Sequence, residues 1–126
     1  MPARAYRGRA VHARLQNELA EYLLSEGFEA RSPGKEDPPF DLAYERNGTV
    51  RVVEVKSLLP SNEERQLRTA LGQILLYRHR LRQRMEQVEA VIYVENEPTD
   101  GTWLELLQTE EIKLCWPDSR AALLED

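Results

Sequence analysis

The residues best suited to chemistry in this chain lie in one short stretch, PFDLAYERNGTVRVVEVKS, from Pro39 to Ser57. Asp41, Glu54 and Lys56 bring two carboxylates and an ammonium into a segment whose valines otherwise read as a buried strand. Carboxylates are hard oxygen donors for a divalent ion, and an ammonium beside them can orient a nucleophile or offset developing charge. The alternative is a solvated hairpin face carrying an incidental Asp–Lys–Glu cluster.

Asn47-Gly48 predicts how these residues are positioned. Both residues tolerate the positive φ of a two-residue type I′ turn, and the flanks FDLAYE and TVRVVEVK have strand-like composition. With that turn, the numbers of opposed residues sum to 95, so Asp41 lies straight across from Glu54. Opposed Cβ atoms are about 5 Å apart. Lys56 falls on the same face as Glu54, whereas Val53 and Val55 point to the other. Two carboxylates so placed repel unless a cation lies between them, and a divalent metal is the natural candidate. A three-residue turn would shift the sum by one and separate the pair.

Further along the chain, helix periodicity predicts a first helix over about 9–26, ending at Gly27, with Val11, Leu15, Leu19, Tyr22 and Leu23 on one side. Glu18 projects into that stripe between Val11 and Leu15, either as a site ligand or as one half of an ion pair with an arginine. A short strand is expected at Phe28–Arg31, then a loop and the hairpin over about 39–57. Ser61 with Glu64 reads as a capping box. It opens a long helix at roughly 62–86 that buries Leu67, Leu71, Ile74, Leu75, Leu81 and Met85. Gln73, Tyr77, Arg80 and Arg84 form a neighbouring stripe able to follow a phosphate backbone. A strand at 88–95, a short helix at 102–109 and a strand at 112–116 complete a mixed sheet flanked by helices.

Composition narrows the function classes. At 126 residues the chain reads as one domain over 1–126, with a core at about 9–95 and an extension at about 96–126. No apolar run is long enough to span a membrane, and the basic N-terminus lacks a signal-peptide core. Cys115 is the lone cysteine, which excludes an internal disulfide and a cysteine metal site and suits a reducing cytoplasm. His12 and His79 are far apart in sequence, which argues against a paired-histidine site or a Ser-His-Asp triad. The net charge of −5 is unevenly distributed, because residues 1–14 and 65–85 hold ten of the 17 basic residues and no acid. A basic surface facing an acidic pocket suits a polyanion handled with metal help, although an Arg-rich helix surface would also account for it.

Taken together, Glu18 on a first helix, Asp41, Glu54-Val55-Lys56 on the next strand and Gln73-x-x-x-Tyr77 on the following helix resemble the PD-(D/E)xK nuclease superfamily. The Q-x-x-x-Y element is similar to that of the RecB-type branch. Asp41 departs from the pattern in following Phe40, with Pro38-Pro39 just upstream, and the four-cysteine cluster of some RecB-type members is absent. The resemblance implies a restriction endonuclease-like fold, an α-β-β-β-α-β core followed here by a C-terminal helix and strand. It also implies a deoxyribonuclease dependent on Mg²⁺ or Mn²⁺. Asp41, Glu54 and the Val55 carbonyl would hold the ion, Glu18 would bind it directly or through water, and Lys56 would act on the attacking water. Gln73 and Tyr77 would position the phosphate or Lys56, while Arg80 and Arg84, or Arg4, Arg7 and Arg9, would carry the nucleic-acid backbone. The expected partner is DNA, met as a homodimer or within a larger helicase- or defence-type assembly. A nuclease-fold module that binds nucleic acid or protein without cutting is the alternative.

Overall fold

The computed structural model describes residues 2–125, with side chains described from Arg7 onward. Helix α1 runs Pro2–Ser25, strand β1 Leu42–Arg46, β2 Thr49–Lys56, helix α2 Glu63–Arg82, β3 Val88–Val94, α3 Gly101–Thr109 and β4 Ile112–Cys115, followed by a 3-10 helix at Pro117–Leu124. The sheet order is β1-β2-β3-β4. β1 and β2 are antiparallel, whereas β2–β3 and β3–β4 are parallel. It is therefore a mixed α/β fold, its sheet flanked by helices on both faces. Among the described residues, no helix is long and apolar enough to cross a membrane.

The hairpin has the register its turn predicts. Asn47 and Gly48 adopt φ of 50° and 81°, and Leu42 pairs with Val53. Alternation then divides the sheet between two cores. Leu42, Tyr44, Val53, Val55, Val91 and Tyr93 pack with Leu15, Leu19 and Leu23 of α1. On the opposite face, Ala43, Val52, Ala90, Ile92 and Val94 pack with Leu67, Ala70, Ile74 and Leu81 of α2 and Leu107 of α3. Burying each of these large aliphatic side chains contributes about 1.5–3 kcal/mol. Glu54 and Lys56 belong by alternation to the α2-facing side.

Several boundaries differ from expectation. α1 begins at Pro2 rather than near residue 9, because Ala3, Arg4, Ala5, Arg7, Arg9 and Ala10 favour helix and Pro is tolerated at a helix start. The strand expected at Phe28–Arg31 contributes only one bridge, Arg31 to Ala43. The Ser61–Glu64 capping box does not form. Asn62 precedes the helix and its side chain instead accepts from the Leu59 N–H, while Glu64 pairs with Arg68. The 3-10 helix after Pro117 has no counterpart in the sequence reading. It delivers Leu123 to the α1-side core and its carbonyls to Arg51 of β2. Arg51 is 1% exposed and is held by the carbonyls of Leu123 and Glu125, by the Tyr44 hydroxyl and by Glu89.

Candidate active site

Asp41 stands one residue before β1 and directly across from Glu54 in the continued register. Its N–H donates to the Val53 carbonyl and to Glu54 Oε1, both at 3.2 Å. Its Oδ2 accepts from the Val55 N–H at 2.7 Å. Lys56 Nζ lies 3.9 Å from Glu54 Oε2. The three side chains thus meet where β1 begins and β2 ends.

The electrostatics follow from burial. Glu54 is 3% exposed, and its carboxyl is pushed up to about 8, first by desolvation and then by the charge of Asp41, with Lys56 opposing. At neutral pH, without a cation beside it, the Glu54 carboxyl is therefore mostly protonated. Burial likewise raises the Tyr77 phenol, and the next two causes are Glu54 and Asp41, which sets this α2 residue beside the pair. Gln73 hydrogen-bonds Tyr77, and the Gln73 Oε1 is buried without a partner.

α1 reaches the pair as well, but not through Glu18. Its buried line is Leu15, Leu19 and Leu23, which rotates the apolar stripe away from Glu18. The Glu18 side chain is 55% exposed and lies 3.9 Å from Arg14, and its charge is felt at Tyr93 on the α1-facing side. The expectation that Glu18 points into the site is thereby corrected. In its place stands His12, whose Nε2 is 3.1 Å from Asp41 Oδ2. That hydrogen bond raises the imidazole pKa, and burial opposes it. Gln16 donates to the Asp41 carbonyl at 2.9 Å. Both polar residues continue the line of Leu19 and Leu23 where α1 overhangs the strand ends, a signal available from the helix periodicity.

Beyond the pair opens a cleft of about 720 Å³, with Arg7, Gly8, Arg9 and His12 of α1 among its lining residues. Lys56, Ser57 and Leu59 also line it, as do Ser61, Asn62, Arg65 and Gln66 around the start of α2. Arg9 is exposed there, whereas Arg7 is tied to Glu95 at 2.6 Å. Arg65 escaped the sequence reading. Its signal is a cation in the first turn of a helix, where the macrodipole disfavours one. On the stripe, Arg80 is exposed, but Arg84 is held by Asp37, which also binds Arg31. The Arg4 side chain lies outside the described residues.

The sheet topology and the site at its strand ends define an α/β protein of nuclease-like fold. Over 86% of its length the chain is similar to a fdxN element excision controlling factor protein from Anabaena variabilis, with a TM-score of 0.63, 24% identity and 93% of that chain covered. An XisH family protein from Nostoc punctiforme matches 85% of the chain and 92% of its own length, with a TM-score of 0.58 and 24% identity. AF1548, a protein of unknown function, matches 80% of the chain and 55% of its own length, with a TM-score of 0.61 and 16% identity. At these identities the likeness is one of fold. The family model of the XisH protein matches residues 40–124, and the chain belongs to the XisH family, a family of PD-(D/E)xK-like fold. No curated protein matches it.

Proposed function

We propose that this protein is a divalent-metal-dependent nuclease that hydrolyses phosphodiester bonds in DNA. The observation that carries this reading is the opposed Asp41–Glu54 pair at the strand ends, with Lys56 beside it at the mouth of a cationic cleft. One structural relative is described as controlling excision of a DNA element, which agrees with a DNA substrate.

The donor set fits Mg²⁺ or Mn²⁺. Glu54 is destabilised as an anion by burial and by Asp41, and a cation between the two would relieve that. Among the described residues, no group of three or more His, Cys, Asp or Glu is gathered to hold a metal. The available ligands are therefore two carboxylates, the Val55 carbonyl and water. Mg²⁺ accepts such a set, because it usually keeps several waters and takes one or two carboxylates. When bound, the ion would lower the pKa of coordinated water and neutralise charge on the phosphoryl oxygens.

The chain's own residues supply the rest. Lys56 faces both Glu54 and the cleft, where it orients the attacking water and counters charge at the scissile phosphate. His12 and the Val55 N–H fix the Asp41 carboxylate. Gln73 and Tyr77 steady the phosphate or Lys56 from the α2 side. Incubating the purified protein with single-stranded, double-stranded, branched and circular DNA in Mg²⁺, Mn²⁺ or EDTA tests this. Cleavage should need the divalent ion.

One observation favours a second reading, a nuclease-fold module that binds without cutting. Asp41 Oδ2 already accepts from Val55 and faces His12, so the carboxylate is satisfied as a strut. DNA binding with no cleavage under any of these conditions would select that reading.

A further inference from the structure

Most of the described arginines are already engaged. Arg7 is held by Glu95, Arg31 and Arg84 by Asp37, and Arg78 and Arg82 by backbone carbonyls. Arg9, Arg65 and Arg80 have neither a carboxylate nor a carbonyl partner among the described residues. Two of these three line the same cleft, Arg9 from α1 and Arg65 from α2. Among the described residues no carboxylate lines that cleft, although the chain as a whole has a net charge of −5. Two guanidinium groups that line one cavity without partners of their own favour an anion shared between them.

The rest of the lining narrows the anion's identity. Ser57, Ser61, Asn62 and Gln66 offer neutral polar groups, and Leu59 is the one large aliphatic side chain among the described residues. Among the described residues no Phe, Tyr or Trp lines the cleft, and its one aromatic ring, His12, is tied to Asp41, so the lining favours backbone contacts over base stacking. Its volume of about 720 Å³ suits a ligand of drug-like size, which is one or two nucleotides rather than a duplex. Lys56 and His12 line the cleft and also touch the carboxylate pair, so the two sites are continuous.

We propose that this cleft is a subsite for the sugar-phosphate backbone of a single DNA strand, with Arg9 and Arg65 pairing phosphate oxygens independently of base sequence. Its role in holding the nucleotide next to the scissile phosphate rests on the hydrolytic reading above; the binding itself does not. This path crosses the N-terminal half of α1 and the start of α2.

The test is equilibrium binding of a labelled single-stranded oligonucleotide, and of the same sequence as a duplex, in EDTA over a salt series. Removing two phosphate contacts should make the slope of log affinity against log salt shallower by about 1.4 for the single strand. Arg9→Ala/Arg65→Ala should also lose at least ~10-fold in affinity at low salt. Lys113→Ala, at the far edge of the sheet, should keep the wild-type slope. Both arginines are exposed, and equal thermal melting of the variants would confirm intact folding. A wild-type slope in the double variant overturns the subsite, as does a change confined to the duplex. A protein that never cuts but loses slope on mutation retains the subsite and refutes hydrolysis. One that cuts, with its slope unmoved by mutation, does the reverse.

Discussion

Replacing Glu54 with Gln should change how stability depends on pH more than it changes stability itself. A carboxyl held near 8 in the folded chain, against an ordinary 4.5, binds its proton more tightly when folded. Between those values the folded state carries more protons than the unfolded state, so stability falls as pH rises and levels off above about 8. The two values set an upper limit of about 5 kcal/mol on this loss, and a third of that is measurable by urea unfolding. Glu54→Gln keeps the shape and cannot ionise. In EDTA, its stability relative to wild type should therefore rise from about pH 5 to about pH 8 and then level off. Adding Mn²⁺ should flatten the wild-type decline, because an ion bound only by the folded state stabilises it by mass action. The variant should gain much less. A difference between wild type and variant that does not vary with pH would show that Glu54 titrates as an ordinary carboxylate, and the coupled-pair argument would fall.

Asp41→Ala and Lys56→Ala should fail differently. The first should weaken Mn²⁺ binding in calorimetric titration and abolish DNA cleavage. The second should leave ion binding intact or tighter while cleavage of plasmid DNA falls at least ~10²-fold. Lys56→Arg should not restore the rate, since a guanidinium stays protonated and is shaped for bidentate contacts; full cleavage by Lys56→Ala would refute its assignment. Asp37, whose side chain is 7% exposed, pairs with both Arg31 and Arg84. Burial raises its pKa, but the Gly34 N–H and the two arginines outweigh burial and hold it below the ordinary carboxylate value. Its contribution is present above the unfolded pKa and lost as pH falls through the folded one. Asp37→Asn should therefore cost about 1–3 kcal/mol at neutral pH and converge with wild type in acid, as followed by urea unfolding. Arg84→Ala should likewise lower stability while leaving the salt slope of DNA binding unchanged.

The hairpin was legible because its information is local. Asn47-Gly48 dictates the turn, the turn dictates the register, and the register sets Asp41 against Glu54. The first helix was read less well, because Val11 and Tyr22 suggested an apolar stripe centred too close to Glu18. Burial instead centres on Leu19, and the helix overhangs the strand ends so that His12 arrives where an acid was expected. That overhang depends on where β1 begins relative to α1, a distance no local pattern encodes. The fate of Arg84 was hidden for a similar reason. Its partner Asp37 lies in a loop 47 positions away, and only the tertiary fold reveals that the charge is spoken for.

Arg51 has a consequence for the order in which the chain is made. During synthesis β2 leaves the ribosome long before Leu123 and Glu125, whose carbonyls hold the Arg51 guanidinium. Tyr44 of β1 waits for the same Leu123 carbonyl. Until those residues emerge, Arg51 has only Glu89 and the Tyr44 hydroxyl as partners, and the α1-side core lacks Leu123. Losing the Leu123 side chain from the core and two hydrogen bonds to a cation costs several kcal/mol, a large part of what holds a small domain together. A chain cut short before Leu123 should thus stay open and be cleared by proteases. The presence of that segment is, in effect, read from the middle of the sheet.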